Sequence, residues 1–205
     1  MRASSFGHTA KASFEIDSDG VFVVRILVLG RPIPQPRHQI GAKVLAGGKT
    51  IQRKWIPSVK VDGVKVRHPI AAYKKAIQNA FFDLAGRELE LRRMIPLEVP
   101  IRASGRFFFA PSADGLGWPD EDGVEPYTGV EDSDNLIKAP LDALTVPKAS
   151  GEAKRRDPFG LLENLFLIRD DRFVFFPVPL KLVDRVGKER SELTFRWRPT
   201  SRVRR

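Results

Sequence analysis

The sequence of 205 residues contains no cysteine, only two methionines and two tyrosines, and no long apolar run. The absence of cysteine excludes disulfides, thiolate metal sites and cysteine nucleophiles, and it favours a reducing, cytoplasmic setting. The longest apolar stretch, Val21 to Leu29, is interrupted by Arg25 and is far shorter than the roughly 18 residues of a membrane helix. We therefore expect neither a membrane segment nor a secreted disulfide scaffold.

Acidic residues are scarce everywhere except in one segment. The chain has 35 Lys and Arg against 25 Asp and Glu, a formal net charge of +10. Residues 111–135 hold eight of the acids and no Lys or Arg, so the remaining 180 residues carry 35 positive and 17 negative charges. A basic body with one acidic island predicts a polyanionic partner such as nucleic acid, and a site that collects cations.

The hydrophobic pattern predicts one α+β domain over residues 13–198, a mixed β-sheet with two main helices. Residues 1–12 are small, polar and aperiodic and are expected to form a flexible tail, and residues 199–205 are expected to form a basic C-terminal tail. The glycines of residues 38–50 favour an irregular segment. The expected elements are strands over residues 13–30, 97–110, 173–183 and 192–197, helices from residue 68 to about 86 and from 134 to 144, and a hairpin over 59–66.

The segment that begins the second predicted helix carries two carboxylates and a lysine. Asp132 and Asp134 are two residues apart, and Asp134 or Asn135 can cap the helix, where free N–H groups and the helix dipole favour negative charge. Lys138 follows Asp134 by four residues and lies on the same helix face. Mg²⁺ prefers such oxygen ligands. The pattern fits either a divalent metal site or an ordinary capped helix with an ion pair.

The string D-x-D-N-L-x-K-x-x-L-D-A-L, which runs from Asp132 to Leu144, closely resembles the signature of the RusA family of Holliday junction resolvases. A second acidic pair, Asp170-Asp171, follows an apolar stretch and resembles the next element of that family. The resemblance covers roughly residues 24–195, and its specific part is the string itself.

This resemblance implies a RusA-like fold and a homodimeric endodeoxyribonuclease that depends on Mg²⁺, with Mn²⁺ as a possible substitute. Such an enzyme resolves four-way DNA junctions in recombination and repair, and a bacterial or phage source is implied as well. Matched by position, the catalytic metal ligands are Asp132, Asp134 and Asp171, and Lys138 is the catalytic lysine. Asp170 and Asp142 are assigned supporting places beside these ligands.

The chain departs from the family pattern in three places. Residues 145–160 resemble an insertion, the loop before Asp132 is long and acidic, and Pro140 lies inside the expected helix, where it removes a backbone hydrogen bond. These departures bear on the choice of substrate. Two alternatives therefore stay open, namely a metal nuclease that acts on flaps or nicked duplexes and a non-catalytic DNA-binding protein of the same fold.

Basic and aromatic residues supply further expectations. The range from Arg31 to Lys75 holds eleven Lys and Arg against one acid, which suits contacts with DNA phosphates. Three consecutive phenylalanines, residues 107–109, predict either a strand that is buried on both faces or an exposed patch that a partner subunit covers. The candidate DNA-binding residues are Arg31, Arg37, Arg53, Lys54, Lys74 and Lys75.

Overall fold

A computed structural model describes residues 7–36, 39–44, 50–55, 59–61, 64–66, 68–111, 113–129, 131–147 and 165–199, with the backbone alone described between residues 39 and 66. The strands are β1 (Thr9–Ile16), β2 (Phe22–Leu29), β3 (Gln39–Val44), β4 (Thr50–Trp55), β5 (Val59–Val61), β6 (Val64–Val66), β7 (Ile101–Phe109), β8 (Val124–Pro126), β9 (Val174–Phe175), β10 (Leu180–Asp184) and β11 (Arg190–Trp197). The helices are α1 (Ile70–Arg87), α2 (Leu89–Met94) and α3 (Ser133–Leu144). The predicted α+β class is confirmed.

Seven strands form one mixed sheet in the order β1-β2-β11-β7-β10-β8, with β9 also paired to β7. Strands β9 and β10 run parallel to β7, and the other neighbours in the sheet are antiparallel. Phe175 of β9 is opposite Arg102, and Leu180 of β10 is opposite Arg106. The two short strands therefore follow one another along the side of β7 that β11 leaves open. The pairs β3-β4 and β5-β6 are separate hairpins.

Alternation of side chains gives the sheet one apolar face. In β2 the buried Val24, Ile26 and Val28 alternate with the exposed Arg25 and the partly exposed Leu27, as a strand with one covered face requires. We call the apolar side, which packs against α1 and α3, the inner face, and the opposite side the outer face. Burying the inner face removes the largest apolar area from water and therefore fixes the register of the strands.

Helix α1 covers the inner face through residues that recur every three or four positions. Ile70, Tyr73, Ile77 and Leu84 are buried, which confirms the helix predicted from their spacing. The Tyr73 hydroxyl donates a 2.8 Å hydrogen bond to Ser191 Oγ and ties α1 to β11. Among the described residues, no helix has the length and apolar composition needed to cross a bilayer.

Backbone hydrogen bonds fix the direction of α3 along the sheet. At its C-terminal end, Ile168 N–H donates to the Leu144 carbonyl at 3.0 Å, so this end lies beside the segment that leads into β9. Ahead of its N-terminal end, Tyr127 N–H donates to the Lys181 carbonyl of β10 at 3.0 Å. Since a 12-residue helix is about 18 Å long, the two ends of α3 lie at well-separated levels of the sheet.

Several boundaries differ from the predicted ones. Strand β1 begins at Thr9, before the expected start at residue 13, because its residues complete the antiparallel pairing with β2 up to Leu29. The expectation of an irregular segment over residues 38–50 is wrong for β3, which pairs with β4 and accommodates Gly41. Helix α1 continues through the exposed Gly86 to Arg87, and the short α2 adds a third helix to the two expected.

The three phenylalanines of β7 are all buried within the chain. Phe107 and Phe109 point into the core, whereas Phe108 lies on the outer face beneath two guanidinium groups. The Arg190 and Arg106 guanidinium carbons lie 3.7 Å and 5.7 Å from its ring centroid. At these three residues β7 is therefore buried on both faces, as in the first of the two expectations, because the chain's own arginines shield the outward ring through cation–π contacts. Farther along the outer face of β7, Arg102 and Arg106 are exposed.

Candidate functional site

The acidic pair of the sequence string lies at the N-terminal end of α3. Asp132 is the last residue before the helix and has an extended backbone, with φ −67° and ψ 127°. Its carbonyl accepts hydrogen bonds from the N–H groups of Asn135 and Leu136 at 3.1 and 3.2 Å. The expectation that Asp134 or Asn135 caps the helix is wrong, because these carbonyl bonds already start the helix at Ser133. The Asn135 amide instead donates to Asp132 Oδ2 at 3.2 Å.

Helix α3 separates apolar from polar side chains sharply. Its exposed residues include Asp134, Lys138 and Asp142, at intervals of four, and Asp132 just before the helix is exposed as well. Pro140 is buried and the helix continues past it to Leu144. The apolar side chains anchor the helix on the inner face and leave one polar stripe facing solvent. The buried residues are Leu136, Ile137, Ala139, Pro140, Leu141, Ala143 and Leu144.

Asp134 and Lys138 form an ion pair on this stripe. Lys138 Nζ donates to Asp134 Oδ2 at 3.0 Å, and just over half of each side chain is exposed. The hydrogen bond from Lys138 is the main cause that lowers the pKa of Asp134 below its usual range. The carboxylate is therefore ionised at neutral pH, which is the state that a metal ligand or an anion-repelling group requires.

A group of side chains holds the backbone just before Asp132, and we call it the Glu131 cluster: Arg31, Tyr127, Glu131 and Lys181. Arg31 and the Tyr127 hydroxyl both donate to the Glu131 carboxylate, Arg31 at 3.2 Å. Lys181 Nζ donates to the Glu131 carbonyl at 2.9 Å and to the Gly129 carbonyl at 3.2 Å, and it lies 5.5 Å from the Tyr127 ring centroid. The entry to α3 is thereby fixed to β10.

The electrostatics of the Glu131 cluster follow from these contacts. Burial raises the pKa of Tyr127 to about 12, and its hydrogen bond to the Glu131 carboxylate acts in the same direction. Burial alone would raise the pKa of Glu131, but the hydrogen bonds from Tyr127 and Arg31 outweigh it and lower that pKa. The cluster therefore has a fixed protonation state at neutral pH, with an ionised Glu131 and a neutral Tyr127.

Sequence reasoning missed the Glu131 cluster. Glu131 and Tyr127 counted only as parts of the acidic loop, and Lys181 only as one cation among many. The Tyr127 ring stacks on Phe109 with centroids 4.0 Å apart, a contact between residues that no periodic pattern connects. Such a cluster depends on the pairing of β7, β8 and β10, which a single sequence does not specify.

The second acidic pair, Asp170-Asp171, lies in the segment between α3 and β9, near the C-terminal end of α3. Asp171 is exposed and begins a short 3-10 turn, and the Asp170 carboxylate accepts a hydrogen bond from Arg172 N–H at 3.1 Å. The turn follows Ile168, which bonds to the C-terminal end of α3. Asp132 and Asp134, by contrast, are at the N-terminal end.

The described residues contain no group of three His, Asp or Glu side chains placed to hold a metal ion. Asp132, Asp134 and Asp171 are therefore not brought together as one ligand set in this arrangement. Asp132 and Asp134 by themselves fit a hard divalent cation, because they are exposed oxygen donors at the start of a helix. The place of Asp171 among the ligands stays a prediction.

Two other predicted residues are paired with each other. Lys74 Nζ of α1 donates to Asp142 Oδ2 at 2.8 Å, so this pair links α1 to α3 two turns away from Asp134. Lys75, the next residue of α1, is exposed. Arg31 is occupied by Glu131, as above. Of the remaining DNA-binding candidates, Arg37 and the side chains of Arg53 and Lys54 lie outside the described residues.

Comparison with known proteins adds no relative. No protein-family model matches the chain, and a search of curated proteins finds no significant match.

Proposed function

We propose that this protein is a Mg²⁺-dependent, structure-selective endodeoxyribonuclease that resolves branched DNA, as its resemblance to the RusA family implies. The observation that carries the proposal is the exposed start of α3. Asp132, Asp134 and Lys138 lie there close together in sequence, on the residues that match the family's string. All three are exposed, whereas the apolar residues of the same string are buried, so the polar members lie on a surface that a substrate can reach.

The residues at this turn suit the hydrolysis of a phosphodiester. Asp132 and Asp134 would hold the divalent cation, and the resemblance assigns Asp171 as the third ligand. A cation held there supplies positive charge for the phosphate oxygens and lowers the pKa of water. The N–H groups of the first helical turn add partial positive charge on the same side.

Lys138 is the group that this chain itself brings to the reaction. Its ammonium is 3.0 Å from the Asp134 carboxylate and half exposed, so it can turn from Asp134 to a bound phosphate without crossing the protein. There it would stabilise the negative charge that grows on the phosphate oxygens or donate a proton to the leaving oxygen.

The proposal includes a homodimer, because a junction is resolved by two paired cuts. One chain offers one such turn, and a two-fold dimer offers two identical ones to a substrate of matching symmetry. The support here comes from the resemblance, since the phenylalanines of β7 are buried within the chain.

The direct experiment compares synthetic four-way junction, flap, nicked duplex and linear duplex in cleavage gels, with Mg²⁺, with Mn²⁺ and with a chelator. We expect paired, metal-dependent cuts in the junction and little cutting of linear duplex. Preferred cutting of flaps or nicked duplex would replace the junction substrate by one of those. Metal-independent products would overturn the proposal.

A non-catalytic DNA-binding protein is the second candidate, and one observation favours it. Asp171 is not grouped with Asp132 and Asp134, and Asp134 is already paired with Lys138. This candidate predicts that the junction is bound with the same affinity in the presence and absence of Mg²⁺ and that no cleavage occurs with either metal. The same gels, run alongside a binding assay, separate the two functions.

A further inference from the structure

The outer face of the sheet carries more positive than negative charge. Residues opposite one another in paired strands lie in one row, and each row of outward side chains crosses β1, β2, β11 and β7. In the described part of this face the cations are Lys11, Arg25, Arg102, Arg106, Arg190 and Arg196, and the carboxylates are Glu15, Asp184 and Glu192.

The three carboxylates of this face form ion pairs with three of its arginines. Glu15 pairs with Arg25, Glu192 pairs with Arg106 and Arg190, and Asp184 pairs with Arg190. The surplus charge of the face therefore remains on Lys11, Arg102 and Arg196.

Arg102 and Arg196 form the unusual pair. They are directly opposite one another on β7 and β11, and both are exposed. Within the described residues neither makes an ion pair, although like charges opposite each other destabilise a sheet. An anion placed between the two guanidinium groups would turn this repulsion into attraction, because each group can give two parallel hydrogen bonds to a phosphate.

An aromatic ring continues the same row. Phe175 of β9 is opposite Arg102 and is 55% exposed, which is uncommon for a phenylalanine in a sheet. Next to this row lies a groove of about 640 Å³, which is lined by residues of β2, β7 and β11 and by Pro177, Val178 and Leu180 at the gap between β9 and β10. Its polar lining includes Arg25, Ser104 and Thr194, and Val178 forms part of its apolar wall.

The positive charge of the outer face favours a nucleic acid over a second copy of this chain as its partner. A second copy of this chain, placed on it by a two-fold axis, would bring the unpaired arginines against a face with the same positive surplus. A nucleic acid instead brings phosphates to the arginines and bases to the ring. Unpaired bases are needed for stacking on Phe175, so a single strand fits better than a closed duplex.

We propose that the outer face binds single-stranded DNA, with the backbone phosphate at Arg102 and Arg196 and a base stacked on Phe175. The proposal rests on the proposed function in taking DNA as the polyanion, and it adds a contact surface away from the turn at Asp132. An unpaired stretch at a branch point would supply such a strand.

The test measures the affinity of the full chain for a fluorescent oligothymidine by anisotropy, in a chelator so that no cleavage occurs. The variant Arg102→Gln with Arg196→Gln removes two charges, and Arg92→Gln with Arg93→Gln removes two exposed charges from α2 as the matched control. We expect the outer-face variant to lower the salt dependence of log affinity by about 0.7, the contribution of the one single-strand phosphate held between the two arginines. The control should change it by much less.

Phe175→Ala tests the ring separately. It should weaken binding of the single strand by about fivefold or more and leave binding of a blunt duplex unchanged, since base stacking contributes only where bases are unpaired. The Arg102 and Arg196 variant should unfold at the same or a higher temperature than the wild type, because a repulsive pair is relieved.

Equal losses in the outer-face and control variants would overturn the proposal, and so would a change in oligomeric state caused by the outer-face variant alone. Failure of this surface is distinguishable from failure of the nuclease proposal. The binding assay contains no metal, and the cleavage gels use the wild-type chain.

Discussion

At the scale of single residues, a substitution of Lys138 separates a catalytic site from an ordinary helix with an exposed ion pair. Its ammonium is paired with the Asp134 carboxylate on an exposed surface, and exposed pairs of this kind contribute little to stability. Because this ion pair contributes little to the stability of the fold, Lys138 can be replaced without unfolding α3.

Lys138→Ala should therefore reduce the single-turnover rate of junction cleavage by at least about a hundredfold, the usual range for a group that acts in the transition state, and leave junction affinity nearly unchanged. The matched control is Lys188→Ala, another exposed lysine, in the connection between β10 and β11. A weaker affinity with a normal single-turnover rate would show that Lys138 only contacts a phosphate.

A substitution at Tyr127 changes one hydrogen bond of the Glu131 cluster and leaves its packing in place. Tyr127→Phe keeps the ring on Phe109 and removes only the hydrogen bond to Glu131. Because Glu131 directly precedes Asp132, we expect the single-turnover rate to fall by about fivefold, which corresponds to the roughly 1 kcal/mol of one hydrogen bond.

Tyr73→Phe is the control for this change, since it also removes one buried hydroxyl, from a bond to Ser191 on β11. It should lower the free energy of unfolding by about 1 kcal/mol without altering the rate. Equal rates in the two variants would show that the cluster does not position the turn.

At the scale of elements, the ion pair of the buried Glu125 on β8 with the partly exposed Arg185 just after β10 joins the acidic loop to the sheet. Burial opposes ionisation of Glu125, but the hydrogen bond from Arg185 and those from the N–H groups of Gly117 and Trp118 lower its pKa below the usual range. A carboxyl group with a lowered pKa stabilises the folded state fully above its unfolded pKa, about 4.3, and loses that contribution as the pH falls through its folded value.

Glu125→Gln should accordingly lower the free energy of unfolding at pH 7, and the difference from the wild type should shrink as the pH falls below about 4. Urea unfolding followed by circular dichroism over this range measures it. Glu15→Gln, in the exposed pair with Arg25, should change stability little at any pH. A constant difference between Glu125→Gln and the wild type at every pH would contradict this role.

Elements with a regular pattern could be predicted from the sequence, and those that depend on tertiary pairing could not. Helix α1 follows from the spacing of Ile70, Tyr73 and Ile77, and the hairpin of β5 and β6 lies where it was predicted, over residues 59–66. The interruption between β9 and β10 coincides with Pro177 and Pro179, which have no N–H group to donate within a sheet, so the sequence did carry a local signal against one strand over residues 173–183. Helix α3 begins one residue before the predicted start, because hydrogen bonds to the Asp132 carbonyl decide the start rather than a side-chain cap.

The same distinction applies to the candidate site. Asp132, Asp134 and Lys138 lie within seven consecutive residues at the start of α3, so local spacing is enough to bring them together. Asp171 depends on the path of the chain between α3 and β9, which spacing does not determine. Lys74 and Asp142 were assigned to DNA and to the metal site, yet they bind each other, because α1 and α3 cross at that point.

At the scale of the whole molecule, the proposed dimer gives a simple expectation. Light scattering should report about 46 kDa across concentrations, twice the chain mass of 23.0 kDa. Because the outer face is proposed to bind DNA, the Arg102 and Arg196 variant should keep this mass. A stable species of about 23 kDa that still makes both opposed cuts in one binding event would refute the dimer.

The central claim is that the exposed carboxylates at the start of α3 drive metal-dependent cleavage, and Asp134→Asn tests it most directly. Cleavage of the synthetic junction in Mg²⁺ and binding of the same junction in a chelator are measured together, with Asp83→Asn, an exposed aspartate of α1, as the matched control. We predict that Asp134→Asn loses cleavage and keeps or tightens binding, because the substitution removes a negative charge from a surface that contacts polyanionic DNA. Full Mg²⁺-dependent cleavage by Asp134→Asn would contradict it.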